Sequence, residues 1–251
     1  MKIFQGIENQ LLPNLYKGKF AELYDLFYEK HWNYPVIASL FEKHLRNYKV
    51  KSVLHVGSGP GRLTKILKKK GFQITALDNS KDLNKIFKTI NPDVKVIHCD
   101  MRKINTKDRF DAIILIGRTF THLVKDKDIK KALKCFNKVL KDKSVLIFDN
   151  FEAEKMLKKQ IFKPEEAVKN RGHIITRTSS FHIISKKPTI VRWFYSFEVD
   201  GKKSKIYQTN DLIRGFSPEE LKRFLNKANF KVLKFAPNFD SKSFITVAQK
   251  R

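Results

Sequence analysis

The chain has 251 residues, is 41% hydrophobic and carries a formal net charge of +27, which suits one sizeable domain or a domain with an insertion. Its only cysteines are Cys99 and Cys135, and no run of about 18 apolar residues occurs. A disulfide framework, a Cys₄ zinc site and a membrane-spanning helix are thereby excluded. The opening Met1–Lys2–Ile3–Phe4–Gln5–Gly6 has no signal-peptide apolar core, so a reducing cytoplasm is the expected setting.

The positive charge raises nucleic acid as a partner. The lysines, however, are spread over helices (Lys65, Lys68, Lys69, Lys70; Lys130, Lys131, Lys134, Lys138) and turns (Lys186, Lys187; Lys202, Lys203). No basic tail, RGG segment, zinc finger or RNP-like aromatic strand is present. Solvated faces are the preferred reading, with nucleic acid kept as a possibility.

Two amphipathic helices are expected first, over Gly18 to Glu29 and Tyr34 to Tyr48. Val50 to Val56 then reads as a buried strand. It ends in Gly57–Ser58–Gly59–Pro60–Gly61, and Arg62 to Lys70 follows as a helix with Gly71 at its left-handed C-cap. Strand, glycine turn and helix in that order form a nucleotide-binding unit, because glycine admits close backbone approach and the helix start offers free N–H groups. A pyrophosphate loop has the spacing G-x-G-x-x-G, and here its third glycine would fall at Arg62. The spacing found is G-x-G-x-G.

Phe72 to Leu77 is a second strand ending at Asp78–Asn79–Ser80, about twenty residues past the loop, where a carboxylate accepts both ribose hydroxyls. The competing role is an N-cap for a helix over Lys81 to Ile90. Val94 to Cys99 is a third strand before Asp100–Met101, and Ala112 to Ile116 a fourth before Gly117–Arg118–Thr119–Phe120–Thr121–His122–Leu123. A helix over Ile129 to Leu140 and a strand over Ser144 to Asn150 complete a doubly wound parallel sheet, with ligands expected at the strand C-termini.

Beyond Phe151 the pattern becomes antiparallel. Strands are expected over Gly172 to Ile184, Thr189 to Val199, Ser204 to Thr209 and Asp211 to Arg214, with turns at Lys186–Lys187–Pro188 and Asp200–Gly201–Lys202–Lys203. This meander would cover the mouth of the α/β site and bear on substrate choice. Ser217–Pro218–Glu219–Glu220 is a capping box for a helix over Leu221 to Ala228, and strands over Phe230 to Ala236 and Ser243 to Ala248 close the chain.

VLHVGSGPG (Val53–Gly61), ALDNS (Ala76–Ser80), CDM (Cys99–Met101) and FDAIILIGRTFTHL (Phe110–Leu123) resemble the class I S-adenosylmethionine (SAM) methyltransferases. ELYDLFY (Glu22–Tyr28), the meander and RGFSPEEL (Arg214–Leu221) are similar in order to the amino-sugar N,N-dimethyltransferases. The resemblance implies an α/β fold: a doubly wound, mostly parallel seven-stranded sheet with its last strand antiparallel, a helical N-terminal lid and an antiparallel β-meander insertion. The corresponding divisions are 1–150 for lid helices and core, 151–215 for the insertion and 216–251 for the last helix and hairpin.

It further implies SAM as cofactor, S-adenosylhomocysteine as product and N-methylation of a small-molecule amine. The cofactor would be held by Gly57, Ser58, Gly59, Asp78, Asn79, Asp100, Met101, Ile116 and Gly117, and lined by Tyr16, Tyr24 and Tyr34 of the lid. His55 stands where the family usually has an acidic residue, and a neutral histidine there contributes no charge. Its two readings, a weakened cofactor site and a satisfied strand-end histidine, stay open. His122 and Tyr24 are the candidate catalytic residues, His122 as a base near neutrality, with a turn-capping histidine as the alternative. No histidine shows metal-ligand spacing.

Arg118, Arg177, Arg192 and Arg214 could form an anion-binding rim for a phosphorylated or nucleotide-linked acceptor. Membrane is not expected as a partner, and the chain is expected as a monomer or homodimer. Two alternatives remain: an RNA or protein methyltransferase, and a catalytically degenerate SAM-fold module that binds nucleic acid.

Overall fold

A computed structural model describes residues 16–158, 164–202 and 206–251. The readings of Met1 to Gly6, of Lys203 in its turn, and of Ser204 and Lys205 at a strand start lie outside the described residues. The first half of the chain runs α1 (Gly18–His31), α2 (Tyr34–Asn47), β1 (Ser52–Val56), α3 (Arg62–Lys69), β2 (Gln73–Asp78), α4 (Lys81–Ile90), β3 (Val96–His98), β4 (Phe110–Leu115), α5 (Asp126–Val139) and β5 (Leu140–Phe151). After it come α6 (Ala153–Leu157), β6 (Glu165–Asn170), β7 (His173–Lys186), β8 (Thr189–Val199), β9 (Ile206–Arg214), α7 (Pro218–Lys227), β10 (Phe230–Pro237) and β11 (Ser243–Lys250).

Seven strands form one sheet in the order β10–β11–β5–β4–β1–β2–β3. β1 lies parallel to β2 and β4, and β11 is antiparallel to both its neighbours. The central strands are apolar on both faces because helices cover both. Leu54, Val56, Ile113, Leu115, Leu146 and Phe148 pack with α5 and α7, whereas Val53, Ala112, Ile114, Val145 and Ile147 pack with α2 and α3. The strand order reverses at β1, so ligand space opens at the C-terminal ends of β1, β2 and β4.

The second sheet is antiparallel, in the order β6–β7–β8–β9. Its first strand has the polar sequence EEAVKN and no apolar alternation, which is why the sequence pattern misses it. β9 runs unbroken where two short strands were expected, because Asn210 pairs with Phe194 and keeps the ladder continuous. The first bonds of α5 form at Asp126, three residues ahead of the apolar stripe that starts at Ile129, and its early acidic residues suit a helix N-terminus.

The two N-terminal helices do different work. α2 is a covering layer of the core through Ile37, Phe41 and Leu45. α1 instead packs Phe20, Leu23 and Phe27 on Ile175, Phe197 and Val199 of the second sheet. Its other attachment is ionic. Arg62, the first residue after the glycine loop, donates to both oxygens of Asp25 at 2.7 and 2.8 Å and to Glu29 at 2.7 Å. Glu29 in turn accepts from Asn170 of β6 at 2.9 Å. Loop, lid helix and second sheet are thereby fastened at one point.

His55 is 2% exposed in β1, and its Nδ1 lies 2.8 Å from Thr64 Oγ1 of α3. Burial lowers its pKa to about 4, so the ring is neutral. It ties β1 to α3 as an uncharged pair.

Two outcomes follow for stability. Arg62→Ala leaves Asp25 buried without its partner and should cost about 3–5 kcal/mol in urea unfolding. For His55, the unfolded chain takes up a proton below the ordinary histidine value near 6.5, while the folded chain refuses it down to about 4. Stability therefore falls as pH drops through that window, by up to roughly 3 kcal/mol. The His55→Asn variant should show a shallower loss, seen in urea midpoints measured from pH 7 to pH 4.

Candidate active site

The glycine loop is shaped by what touches it. Gly57 has φ +67°, and a Cβ there would stand 2.3 Å from Thr119 Cγ2. A Cβ on Gly61, φ +85°, would meet the Phe87 ring at 2.4 Å. Gly59 differs: φ is +55°, yet nothing lies within 4 Å of its Cβ position. That face of the loop is open.

Asp78, at the tip of β2, accepts from the Gly59 N–H at 2.8 Å through one carboxylate oxygen and from the Ser80 N–H at 2.8 Å through the other. Each oxygen keeps a second lone pair for a ligand hydroxyl. Burial pushes its pKa up, countered by those amides and by His122. Ser80, not Asp78, caps α4 by accepting from Leu83 N–H at 3.1 Å. Ser58 Oγ is buried and has no hydrogen-bond partner. An orphaned hydroxyl, an open glycine face and a carboxylate with spare lone pairs fit a ribose-bearing cofactor such as SAM. Asn79 beside them is exposed.

Asp100 follows β3, but its carboxylate is taken up by Arg102, through the backbone N–H at 2.8 Å and Nε at 2.9 Å. Met101 packs against the core. Tyr34 begins α2, and its ring meets Trp32 edge-on at 5.9 Å, outside the cavity described next.

Between the sheets lies a cavity of about 570 Å³ including its mouth. Tyr16, Tyr24, Gly117, Arg118 and His122 line it. The backbone carbonyl of Tyr16 accepts from Ser80 Oγ at 2.5 Å, which anchors the lid's first turn beside Asp78. From Tyr16 the wall is a chain of ring contacts: to Tyr24 at 4.9 Å, on to Tyr28 at 4.5 Å and to Trp32 at 4.9 Å. On the other side the Tyr16 and Tyr195 hydroxyls share a hydrogen bond, Tyr195 meets Trp193 at 5.5 Å, and Trp193 meets Phe151 at 5.7 Å. Arg118 closes the circuit, its guanidinium 4.9 Å from the Phe151 ring and 5.1 Å from that of Phe239, which touches Trp32 at 5.9 Å.

The segment after β4 sets the polar groups. Ile116 is buried in the core. Trp32 stands 2.8 Å from where a Gly117 Cβ would be, and Arg118 takes the left-handed conformation at φ +64°. The buried carboxylate of Asp149 holds that backbone by accepting the Arg118 N–H at 2.8 Å. A 3₁₀ turn over Thr119–His122 then buries Phe120 in the core and turns His122 toward the cavity. His122 Nδ1 lies 2.5 Å from Asp211 Oδ2 of β9. Burial lowers the imidazole pKa, but the Asp211 hydrogen bond and charge, with Asp78, outweigh this and leave it raised.

The four arginines do not converge into one rim. Arg118 and Arg177 line the cavity; Arg177 donates to Tyr28 Oη at 2.6 Å and pairs with Glu166. Arg214 is spent elsewhere, on Val124 O at 2.9 Å, Asp126 at 2.7 Å and Glu220 at 2.5 Å. The reason is the strand period of two: Trp193, Tyr195, Asp211 and Ile213 face the site, so Arg192 and Arg214 face away. Asp211, Asp149 and the wall aromatics other than Tyr16 and Tyr24 are the site residues that sequence reasoning did not single out. An aspartate closing the apolar run of β5 is the one local signal that pointed to Asp149.

Among the described residues no His, Cys, Asp and Glu group suits a metal ion, and no helix is long and apolar enough to cross a membrane. Residues 53–143 match a family described as a methyltransferase domain. A glycine/sarcosine N-methyltransferase of Aphanothece halophytica is 32% identical over 142 residues, covering 54% of this chain and 54% of that protein. The chain thus spans about half the length of the curated relatives it matches. A SAM-dependent methyltransferase from Clostridium acetobutylicum ATCC 824 has a TM-score of 0.76 at 17% identity, covering 92% of this chain and 98% of its own. SAM-bound CalS10, an amino pentose methyltransferase from Micromonospora echinaspora, has a TM-score of 0.75 at 17% identity, covering 96% and 100%. Residues 53–143 thus resemble a methyltransferase domain, and the chain has the fold of a SAM-dependent methyltransferase.

Proposed function

We propose that the protein is a SAM-dependent N-methyltransferase for a small-molecule amine. The observation that carries this reading is the His122–Asp211 pair, set in the wall of an aromatic cavity beside Asp78 and the glycine loop. The named N-methyltransferase and amino pentose methyltransferase among its likenesses support an amine acceptor.

Bound SAM would supply a methyl group on a sulfonium, open to in-line attack by a nitrogen lone pair. Asp78, with the Gly59 amide, would hold the ribose, and Ser58 would offer its free hydroxyl. Asp100, Met101 and the Ile116–Gly117 backbone would border the adenine side. Tyr16 and Tyr24 would close over the reacting atoms and exclude water, which matters for a transfer without a charged nucleophile. As the nitrogen gains its methyl group, its proton passes to His122 Nε2, because Nδ1 is committed to Asp211. Asp211 is a positioning residue: it fixes ring orientation and raises the basicity of the imidazole.

The neutral His55 would leave the methionine end of the cofactor without the usual carboxylate. Asp78 then carries more of the affinity. Calorimetric titration should find SAM and S-adenosylhomocysteine binding, weakened about 10–100-fold in Asp78→Ala. Absence of binding by the unaltered protein would remove the enzymatic reading.

With an amine acceptor in hand, His122→Asn should lower kcat by about 10²–10⁴-fold while SAM affinity stays unchanged. The rate should rise with pH as His122 loses its proton, along a limb above the ordinary histidine value. In Asp211→Asn that limb should move to lower pH, since the group that raises the pKa is gone. An unmoved limb would show that the imidazole is not the titrating base.

A further inference from the structure

We infer that Arg118 is the receptor for a carboxylate carried by the acceptor, so that the amine to be methylated belongs to a short amino acid. The ligand's role as acceptor rests on the methyltransferase reading; the carboxylate site rests on the cavity alone.

Among the described residues, the charged side chains that line the cavity are Arg118, Arg177 and His122, and no carboxylate lines it. In an aromatic enclosure of that sign an anion is attracted more strongly than it would be in water. Burial lowers the Arg118 pKa, Asp149 opposes the shift, and Arg177 of the same lining adds to it. A bound anion offsets both the burial and the repulsion.

Arg118 has hydrogen-bonding capacity to spare. Its side chain is 12% exposed and lies over two rings, with its guanidinium 4.9 Å from Phe151 and 5.1 Å from Phe239. Its one side-chain hydrogen bond runs from Nη2 to Asp240, and its buried Nε has no partner. The carboxylates beside it have other donors to satisfy. Asp240 accepts from the Lys242 N–H at 3.0 Å and the Ser243 hydroxyl at 2.7 Å, and Asp149 accepts from Asn238 at 3.0 Å. A guanidinium carries more N–H groups than Asp240 uses, in a planar fork that matches a carboxylate. The left-handed Arg118 backbone, held by Asp149, fixes where that fork sits. Arg177 plays a lesser part: it spends Nη1 on Tyr28 at 2.6 Å and Nη2 on Glu166, so it supplies charge more than hydrogen bonds.

The same turn limits the ligand's size. Arg118 is the N-cap of the 3₁₀ turn over Thr119–His122. At about 2 Å of rise per residue, Arg118 and His122 stand roughly 8 Å apart along it. An amine giving its proton to His122 and a carboxylate on Arg118 therefore lie a few bonds apart in one molecule. A phosphate dianion suits the site less well, because Asp240 and Glu166 already balance one charge on each guanidinium.

The wall provides a reporter, since Trp32 and Trp193 both line the cavity. Glycine, β-alanine, γ-aminobutyrate, their amides and aminomethylphosphonate would be titrated by tryptophan fluorescence, with and without S-adenosylhomocysteine. At least one amino acid should bind about tenfold or more tightly than its amide, and methyl transfer from SAM should follow the same order in kcat/KM. Arg118→Gln should weaken that amino acid by about 30-fold or more and bring its preference over the amide close to unity. Arg118→Lys, a point charge without the fork, should restore part of the preference. SAM affinity by calorimetry guards against a misfolded variant. Equal binding of acid and amide would overturn the carboxylate site, and tighter binding of the phosphonate would make it a phosphate site instead. A preference that survives Arg118→Gln would also overturn it, placing the anion elsewhere. No binding of any amino acid by a protein that binds SAM would refute the site and leave the methyltransferase reading intact. Acid-selective binding that Arg118→Gln abolishes, in a protein that does not bind SAM, would support the site and remove that reading.

Discussion

One guanidinium ties the lid helix to the glycine loop. Arg62 reaches from the first turn of α3 to Asp25 and Glu29 of α1, and through Glu29 to Asn170 of the second sheet. Without that clamp the lid helix keeps its apolar seat on β7 and β8 and its hydrogen bonds from Arg177 to Tyr28 and from Asn170 to Leu26 O. An ion pair with Asp25 only 5% exposed is costly to desolvate, and it is worth its cost only where the geometry is bidentate, as it is here. The position that rules out a pyrophosphate loop is thus the one that attaches the lid.

A second constraint acts at the end of β4. A left-handed Arg118 is unfavourable by itself, and Asp149 stabilises it by accepting its N–H. The same turn brings Thr119 against Gly57 and His122 into the cavity. Cofactor loop and proposed base therefore share one rigid contact, so a shift in either is felt by the other. Asp211 completes the arrangement from the opposite sheet, where it meets His122 Nδ1 at 2.5 Å.

The core was legible because its pattern is local. Apolar runs with β-branched residues, a glycine turn and alternating helices give β1 to β5, and Ser217 caps α7 by accepting from Glu220 N–H at 3.2 Å, while the Glu220 carboxylate pairs with Arg214. The polar β6 was not legible, since it is held by ladder bonds to β7 and not by an apolar face. The differing roles of α1 and α2 were hidden for a related reason. Both carry helical apolar stripes, and a stripe does not say which surface it meets.

The sequence by itself determined the strand–glycine–helix unit, the placement of Asp78 and His122 at strand ends, and the closing antiparallel pair. These follow from periods and turn chemistry that act within a few residues. Only the tertiary structure decided that His122 meets Asp211, that Arg214 faces away from the site, and that aromatic rings from both sheets close around one cavity. Such contacts join residues more than two hundred positions apart, Trp32 and Phe239 among them, and no local spacing encodes them. They are set by which face each strand presents once the two sheets pack.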